Sequence, residues 1–168
     1  LHLQPNIACV TSMDVDHLDI YGKAEVLQET FLEFSQKVSD TLIVAKGLPL
    51  KGLTYAIDEP ADYTASNVRY EDGFCVFDVK TPTASIAGIR FGLPGHHNVM
   101  NALAALAMAE VYGVSLSVIK SQLESFKGVK RRFSYKIKRD DLVLIDDYAH
   151  HPTEIAAVES AIGLMYPK

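Results

Sequence analysis

Apolar residues arrive in two rhythms along this chain. Short, nearly unbroken apolar runs occur at residues 6–11, 41–45 and 142–146, the texture of strands buried on both faces. Between the first two, Val26, Leu27, Phe31, Phe34 and Val38 recur close to helical spacing over residues 24–38. Strand, helix, strand predicts a βαβ unit with a parallel sheet and a right-handed crossover, followed by a further short strand over 53–57. The texture then changes. Segments 63–70, 74–81 and 85–91 are rich in β-branched and aromatic residues, and Glu71-Asp72-Gly73 offers a turn between the first two, which predicts a small antiparallel sheet.

Helical spacing returns over 98–112 and stops at Gly113, as a C-terminal cap requires. A second helix is expected over 115–126 with Ser115 as its N-cap. Lys127-Gly128 reads as a hinge. Beyond it come a strand over 133–138, the turn Arg139-Asp140-Asp141, the buried strand 142–146 and a last helix over 153–164. Pro152 stands where that helix begins, the one helical position that tolerates proline. The prediction is an α/β chain in two parts. Residues 1–127 carry a parallel sheet with helices plus the small antiparallel sheet, and residues 128–168 are the first βα portion of a second, Rossmann-like domain.

Composition narrows the function classes. With 168 residues the chain can build one domain with a real core, or one domain and the start of another. A net charge of −5 gives no global attraction to nucleic acid or to an anionic membrane, and Lys127-Gly128-Val129-Lys130-Arg131-Arg132 is the local exception. No apolar run reaches transmembrane length. Cys9 and Cys75 fit neither a disulfide framework nor a zinc site, so a reducing cytoplasm is expected. Leu1-His2-Leu3-Gln4-Pro5 leads straight into a buried strand without a start methionine, which reads as a piece of a longer protein.

Four polar constellations carry candidate chemistry. Asp147-Tyr148-Ala149-His150-His151-Pro152-Thr153-Glu154 crowds the C-terminal end of a strand, where open α/β sheets bind ligands. The helix that follows has a dipole favouring an anion such as phosphate. Asp147 suits ribose hydroxyls, and His150 suits phosphate contact or proton transfer; the alternative makes the histidines helix caps. Asp14-Val15-Asp16-His17-Leu18-Asp19 could hold a divalent cation, or be a polar turn before the next helix. In Gly95-His96-His97-Asn98-Val99-Met100-Asn101, Asn98 and Asn101 share a helix face and could read an adenine edge; otherwise Asn98 caps the helix and Asn101 is a satisfied core amide. Arg131-Arg132 could deliver a guanidinium to phosphate from the hinge, or be solvated charge beside a linker.

Taken together and in this order, Asp16-His17-Leu18-Asp19-Ile20-Tyr21-Gly22, Gly95-His96-His97-Asn98-Val99-Met100-Asn101-Ala102, Gly128-Val129-Lys130-Arg131-Arg132-Phe133 and Asp146-Asp147-Tyr148-Ala149-His150-His151-Pro152-Thr153-Glu154 resemble the Mur ligase family, and among its branches the alanine-adding one. The resemblance spans essentially the whole chain: the later part of a central ATP-binding domain (1–127) and the start of a C-terminal ligase domain (128–168). It implies an ATP- and Mg2+-dependent ligase of peptidoglycan synthesis whose small-molecule substrates are UDP-N-acetylmuramate and L-alanine, joined through an acyl phosphate. Carried onto this sequence, His17 is the metal and catalytic residue. His97, Asn98 and Asn101 contact adenine, Arg132 reaches ATP from the linker, and Asp147 binds ribose. Tyr148 and His150 face phosphate and the incoming amino acid.

The chain departs from the family pattern in one large respect. No G-x-x-x-x-G-K-[ST] phosphate loop occurs in it; the family carries that loop upstream of what corresponds to Leu1. This piece is therefore expected to be inactive, to bind ATP weakly or not at all, and to self-associate through an exposed sheet edge. Three other readings remain: a murein-peptide-recycling ligase of the same family, a non-catalytic nucleotide-binding or interaction module, and a metal-dependent hydrolase built on Asp14, Asp16, His17 and Asp19.

Overall fold

A computed structural model describes residues 2–14 and 23–166. The elements in chain order are β1 (Ile7–Val10), α1 (Ala24–Gln36), β2 (Thr41–Ala45), β3 (Leu53–Ile57), β4 (Tyr63–Glu71), β5 (Phe74–Lys80), β6 (Ser85–Phe91), α2 (His96–Val111), α3 (Leu116–Ser125), β7 (Ser134–Lys138), β8 (Val143–Asp146) and α4 (Pro152–Met165).

Strands β1 to β6 lie side by side in sequence order in one six-stranded sheet. Pairing is parallel from β1 through β4 and antiparallel from β4 through β6. The three strands predicted as a small antiparallel sheet are thus joined to the parallel one through β3 and β4, and the small separate antiparallel sheet is the β7–β8 hairpin.

The join at β2, β3 and β4 needs no crossover helix, although parallel neighbours usually do. Each strand is staggered along the one before: Leu53 pairs with Ile43, and Tyr63 pairs with Tyr55. A short connection therefore suffices to step sideways. Asp62 secures the second step, its Oδ2 accepting from the Thr54 amide at 2.7 Å and the Thr54 hydroxyl at 2.8 Å. Those contacts, the backbone amide first, hold the Asp62 carboxyl below the usual carboxylate range.

The unbroken apolar runs of β1 and β2 are explained by burial on both faces. Ala8, Val10, Leu42 and Val44 meet Phe31, Phe34 and Val38 of the α1 layer. Ile43 and Ala45, with Ile7 and Cys9, face the main core, where Tyr55, Phe77, Ile89 and Phe91 pack against Val99, Leu103 and Leu106 of α2. Ala102, Ala104 and Ala107 are buried on α2, and their small size lets the helix lie close across the strands. Gly113, at φ 94°, ends α2 as predicted: its N–H donates to Glu110 O at 2.8 Å, and that of Val114 to Ala109 O at 2.9 Å. Ser115 does stand in the N-cap position of α3, but its side chain makes no capping bond and approaches the Ser117 hydroxyl instead.

Strand β8 departs from expectation. Leu142 and Leu144 are 44% and 50% exposed, so the run that reads as buried is covered on one face only. Its partner strand β7 reaches the end of α4, where Tyr166, just past that helix, donates to the Tyr135 hydroxyl at 3.2 Å. Both cysteines are free, and burial pushes the Cys75 thiol up to about 11. Among the described residues no helix is long and apolar enough to cross a membrane.

Candidate functional site

The loop from β6 into α2 is built around Gly95. This residue sits at φ 97°, ψ 145°, a region that side chains beyond glycine rarely enter. Its N–H donates to the Tyr70 hydroxyl of β4 at 2.9 Å. One turn later the Asn98 carboxamide nitrogen donates to Pro94 O at 2.6 Å, and Asn98 is buried. Asn98 therefore secures the turn that starts α2. Asn101, on the same helix face, is exposed and has its amide available. His97 is half-buried beside them. Burial holds its imidazole below the ordinary value of 6.5; Asp147 pulls it up, and Arg132 and His96 push it down.

The linker approaches from the other side. Gly128, Arg131 and Phe133 all adopt positive φ, at 85°, 62° and 48°. Two residues beyond β8 account for this contorted path. Asp147 Oδ2 accepts from the Phe133 amide at 2.7 Å, and the Tyr148 amide donates to Arg131 O at 2.9 Å. Phe133 is 4% exposed, and the Arg131 guanidinium lies 4.8 Å above the Tyr148 ring. Arg132, between the two strained positions, carries its Nη1 to 3.9 Å from Asp147 Oδ1 and 3.7 Å from Glu154 Oε1. The other hold on Asp147 is the Ala149 amide, which donates to Oδ1 at 2.8 Å.

Between these walls lies a cavity of about 890 Å³. His97, Asn98, Asn101 and Ala105 of α2 form one side; Arg132, Asp147, His151 and Glu154 form another; Thr11, Ser12 and Asp14 beyond β1 close a third. The volume falls in the range of small-molecule sites, and the walls are largely apolar with a few convergent polar groups. Five of the residues singled out by sequence (His97, Asn98, Asn101, Arg132 and Asp147) meet here. Tyr148 and His150 do not line the cavity: Tyr148 is 52% exposed and His150 stacks edge-on against it at 5.2 Å. His17, with Asp16 and Asp19, lies outside the described residues. Among the described residues no group of three or more His, Cys, Asp or Glu could hold a metal ion.

One expectation is corrected. The N-terminus of α4 is not an open anion cradle, because the chain fills it. His151 is the N-cap, its Nδ1 accepting from the Thr153 amide at 3.4 Å, and Glu154 completes a capping box. The amides of His150 and His151 both turn to Glu154 Oε2, at 3.1 and 3.5 Å. The alternative reading of His151 as a cap is the right one. Sequence reasoning missed Glu154 as a site residue, and also Gly95, whose bare Cα receives Ala161 of α4. The capping-box spacing could have flagged Glu154, but a histidine in place of serine or threonine at the cap hides the pattern.

Comparison with known proteins bears on this arrangement. A family model described as the Mur ligase middle domain matches residues 1–109. The UDP-N-acetylmuramate–L-alanine ligases of Flavobacterium johnsoniae and Flavobacterium psychrophilum are 57% and 56% identical to the chain over 99% of it, and the match covers 38% of each. The crystal structure of UDP-N-acetylmuramate-alanine ligase MurC from Thermotoga maritima superposes with a TM-score of 0.82 at 26% identity, covering 98% of this chain and 40% of that one. The chain thus spans well under half the length of the relatives it matches.

Proposed function

The chain belongs to the Mur ligase family, and from that premise we propose that the protein containing it is an ATP-dependent ligase joining L-alanine to UDP-N-acetylmuramate in the cytoplasm, for peptidoglycan synthesis. Residues 1–127 are the later part of the central domain and 128–168 the first part of the C-terminal domain. The observation that carries the reading is the shared cavity, in which the exposed Asn101 amide and His97 of α2 line the same space as Arg132 of the linker and the Asp147 carboxylate beyond β8.

In this reading Asn101 contacts the adenine edge, Asn98 keeps the α2 turn in place, and His97, neutral at physiological pH, packs beside the base. Asp147 has both oxygens engaged by amides, which aim its remaining lone pairs at the ribose hydroxyls. Arg132 meets the phosphates. The muramate carboxylate bonds to the γ-phosphorus of ATP and ADP leaves; the amine of L-alanine then attacks the acyl carbon and phosphate departs. Such chemistry asks the protein for positioning and charge neutralisation rather than a covalent catalyst. Tyr148 and His150, on the outer side of the same turn, serve the incoming amino acid. A magnesium ion, held through His17, would neutralise charge on the transferred phosphoryl group; Asp14, an oxygen donor on the cavity wall, suits the same ion.

The test is phosphate release by the full-length protein. Release should require ATP, UDP-N-acetylmuramate and L-alanine together. Release indifferent to the sugar nucleotide and to alanine would defeat the proposal, and a preference for a preformed peptide over alanine would move it to the recycling branch.

A further inference from the structure

Glu154 has two oxygens with two different sets of partners. Oε2 accepts from the His150 amide at 3.1 Å and lies 3.5 Å from both the His151 amide and the His150 ring Nδ1. Oε1 faces the Arg132 guanidinium at 3.7 Å. The first set ties the carboxylate to the start of α4, and the His150 amide, the largest influence, holds its carboxyl below the usual range. The group is therefore an anion tethered to the start of α4 by the His150 amide. Arg132 gains orientation from it without committing donors to it, because 3.7 Å to Glu154 and 3.9 Å to Asp147 both exceed hydrogen-bond length. Its side chain is half-exposed at the cavity wall, so its N–H groups remain for a ligand.

We propose that Glu154 is a positioning residue: anchored by the helix cap through one oxygen, it holds Arg132 through the other in the orientation that meets a nucleotide phosphate. This deepens the reading of Arg132 given above and rests on it. The arrangement also ties linker and helix together, so that Arg132 arrives at the cavity only when α4 is correctly started.

The experiment uses the full-length protein and the alanine-dependent phosphate-release assay, with Glu154→Gln, Arg132→Ala and the double variant. Glutamine keeps an oxygen for the His150 amide and removes the negative charge that faces Arg132. Glu154→Gln should raise KM for ATP about fivefold, the size of one coupled pair, with an unchanged melting temperature. In the Arg132→Ala background, itself raised in KM, the same change should add nothing. A KM for ATP unchanged by Glu154→Gln overturns the proposal, whether or not the melting temperature falls, and so does an equal increase in the two backgrounds. Arg132→Ala with a wild-type KM would instead remove the nucleotide role of Arg132 and this proposal with it, an outcome distinct from one in which Arg132 matters and Glu154 does not.

Discussion

Ala161 rests its methyl group on the bare Cα of Gly95, so closely that a Cβ built on the glycine would lie 2.9 Å from it. The same Cβ would come 2.8 Å from His97 Cε1. Ala161 is fully buried, the one residue of α4 that is. This contact seats α4 on the start of α2 and so sets the width of the cavity between them.

Gly95→Ala should be costly for two independent reasons. The backbone conformation strains any side chain by about 1–3 kcal/mol, and the added methyl must also displace His97 or α4. Urea unfolding of this chain should show a loss of at least about 1 kcal/mol. A variant as stable as the parent sequence would mean that α4 does not rest there.

The asparagine pair separates stability from binding. Asn98→Ala leaves a buried carbonyl of Pro94 without its donor and should destabilise by about 1–3 kcal/mol. Asn101→Ala is at an exposed position and should leave stability within about 0.5 kcal/mol while raising KM for ATP in the full-length protein. Equal effects of the two substitutions on both readouts would erase the distinction.

His97 gives the protein an acid-sensitive element. Its folded value lies below 6.5, so neutral imidazole is favoured by folding and protonation by unfolding. The contribution is fully present above 6.5 and is lost as pH falls through that value toward the lower folded one. Unfolding free energy should therefore drop over that interval, and His97→Gln should flatten the drop. An identical pH profile in the variant would assign the effect elsewhere.

Much of the fold was legible because local signals and global packing agree. The apolar runs of β1 and β2, the helical stripe of α1 and the glycine stop at 113 each have one cause, and each appears where that cause requires. The single sheet was less legible. Joining β3 to β4 in parallel depends on a stagger and on Asp62 reaching Thr54, a relation between loops that periodicity does not encode. The run 142–146 misled for a related reason: a two-stranded hairpin buries one face, and composition alone cannot say how many neighbours a strand will have.

Of the residues in the quoted motifs, His97, Asn98, Asn101, Arg132 and Asp147 line one cavity and Tyr148 and His150 stand outside it, while the backbone roles of Asp147 and Gly95 were not legible. Asp147 was singled out for its carboxylate, but its hold on the Phe133 amide, which turns the linker so that Arg132 faces the cavity, spans fourteen residues of sequence. Gly95 stood inside a quoted motif, yet its importance lies in what it lacks.

The central claim is that the cavity between α2 and the segment beyond the linker receives a nucleotide. A crystal structure of the full-length protein with a non-hydrolysable ATP analogue tests it most directly. The account predicts the adenine against Asn101 and His97, the ribose on Asp147 and a phosphate within reach of Arg132. A nucleotide bound elsewhere, with this cavity filled only by solvent, would contradict it.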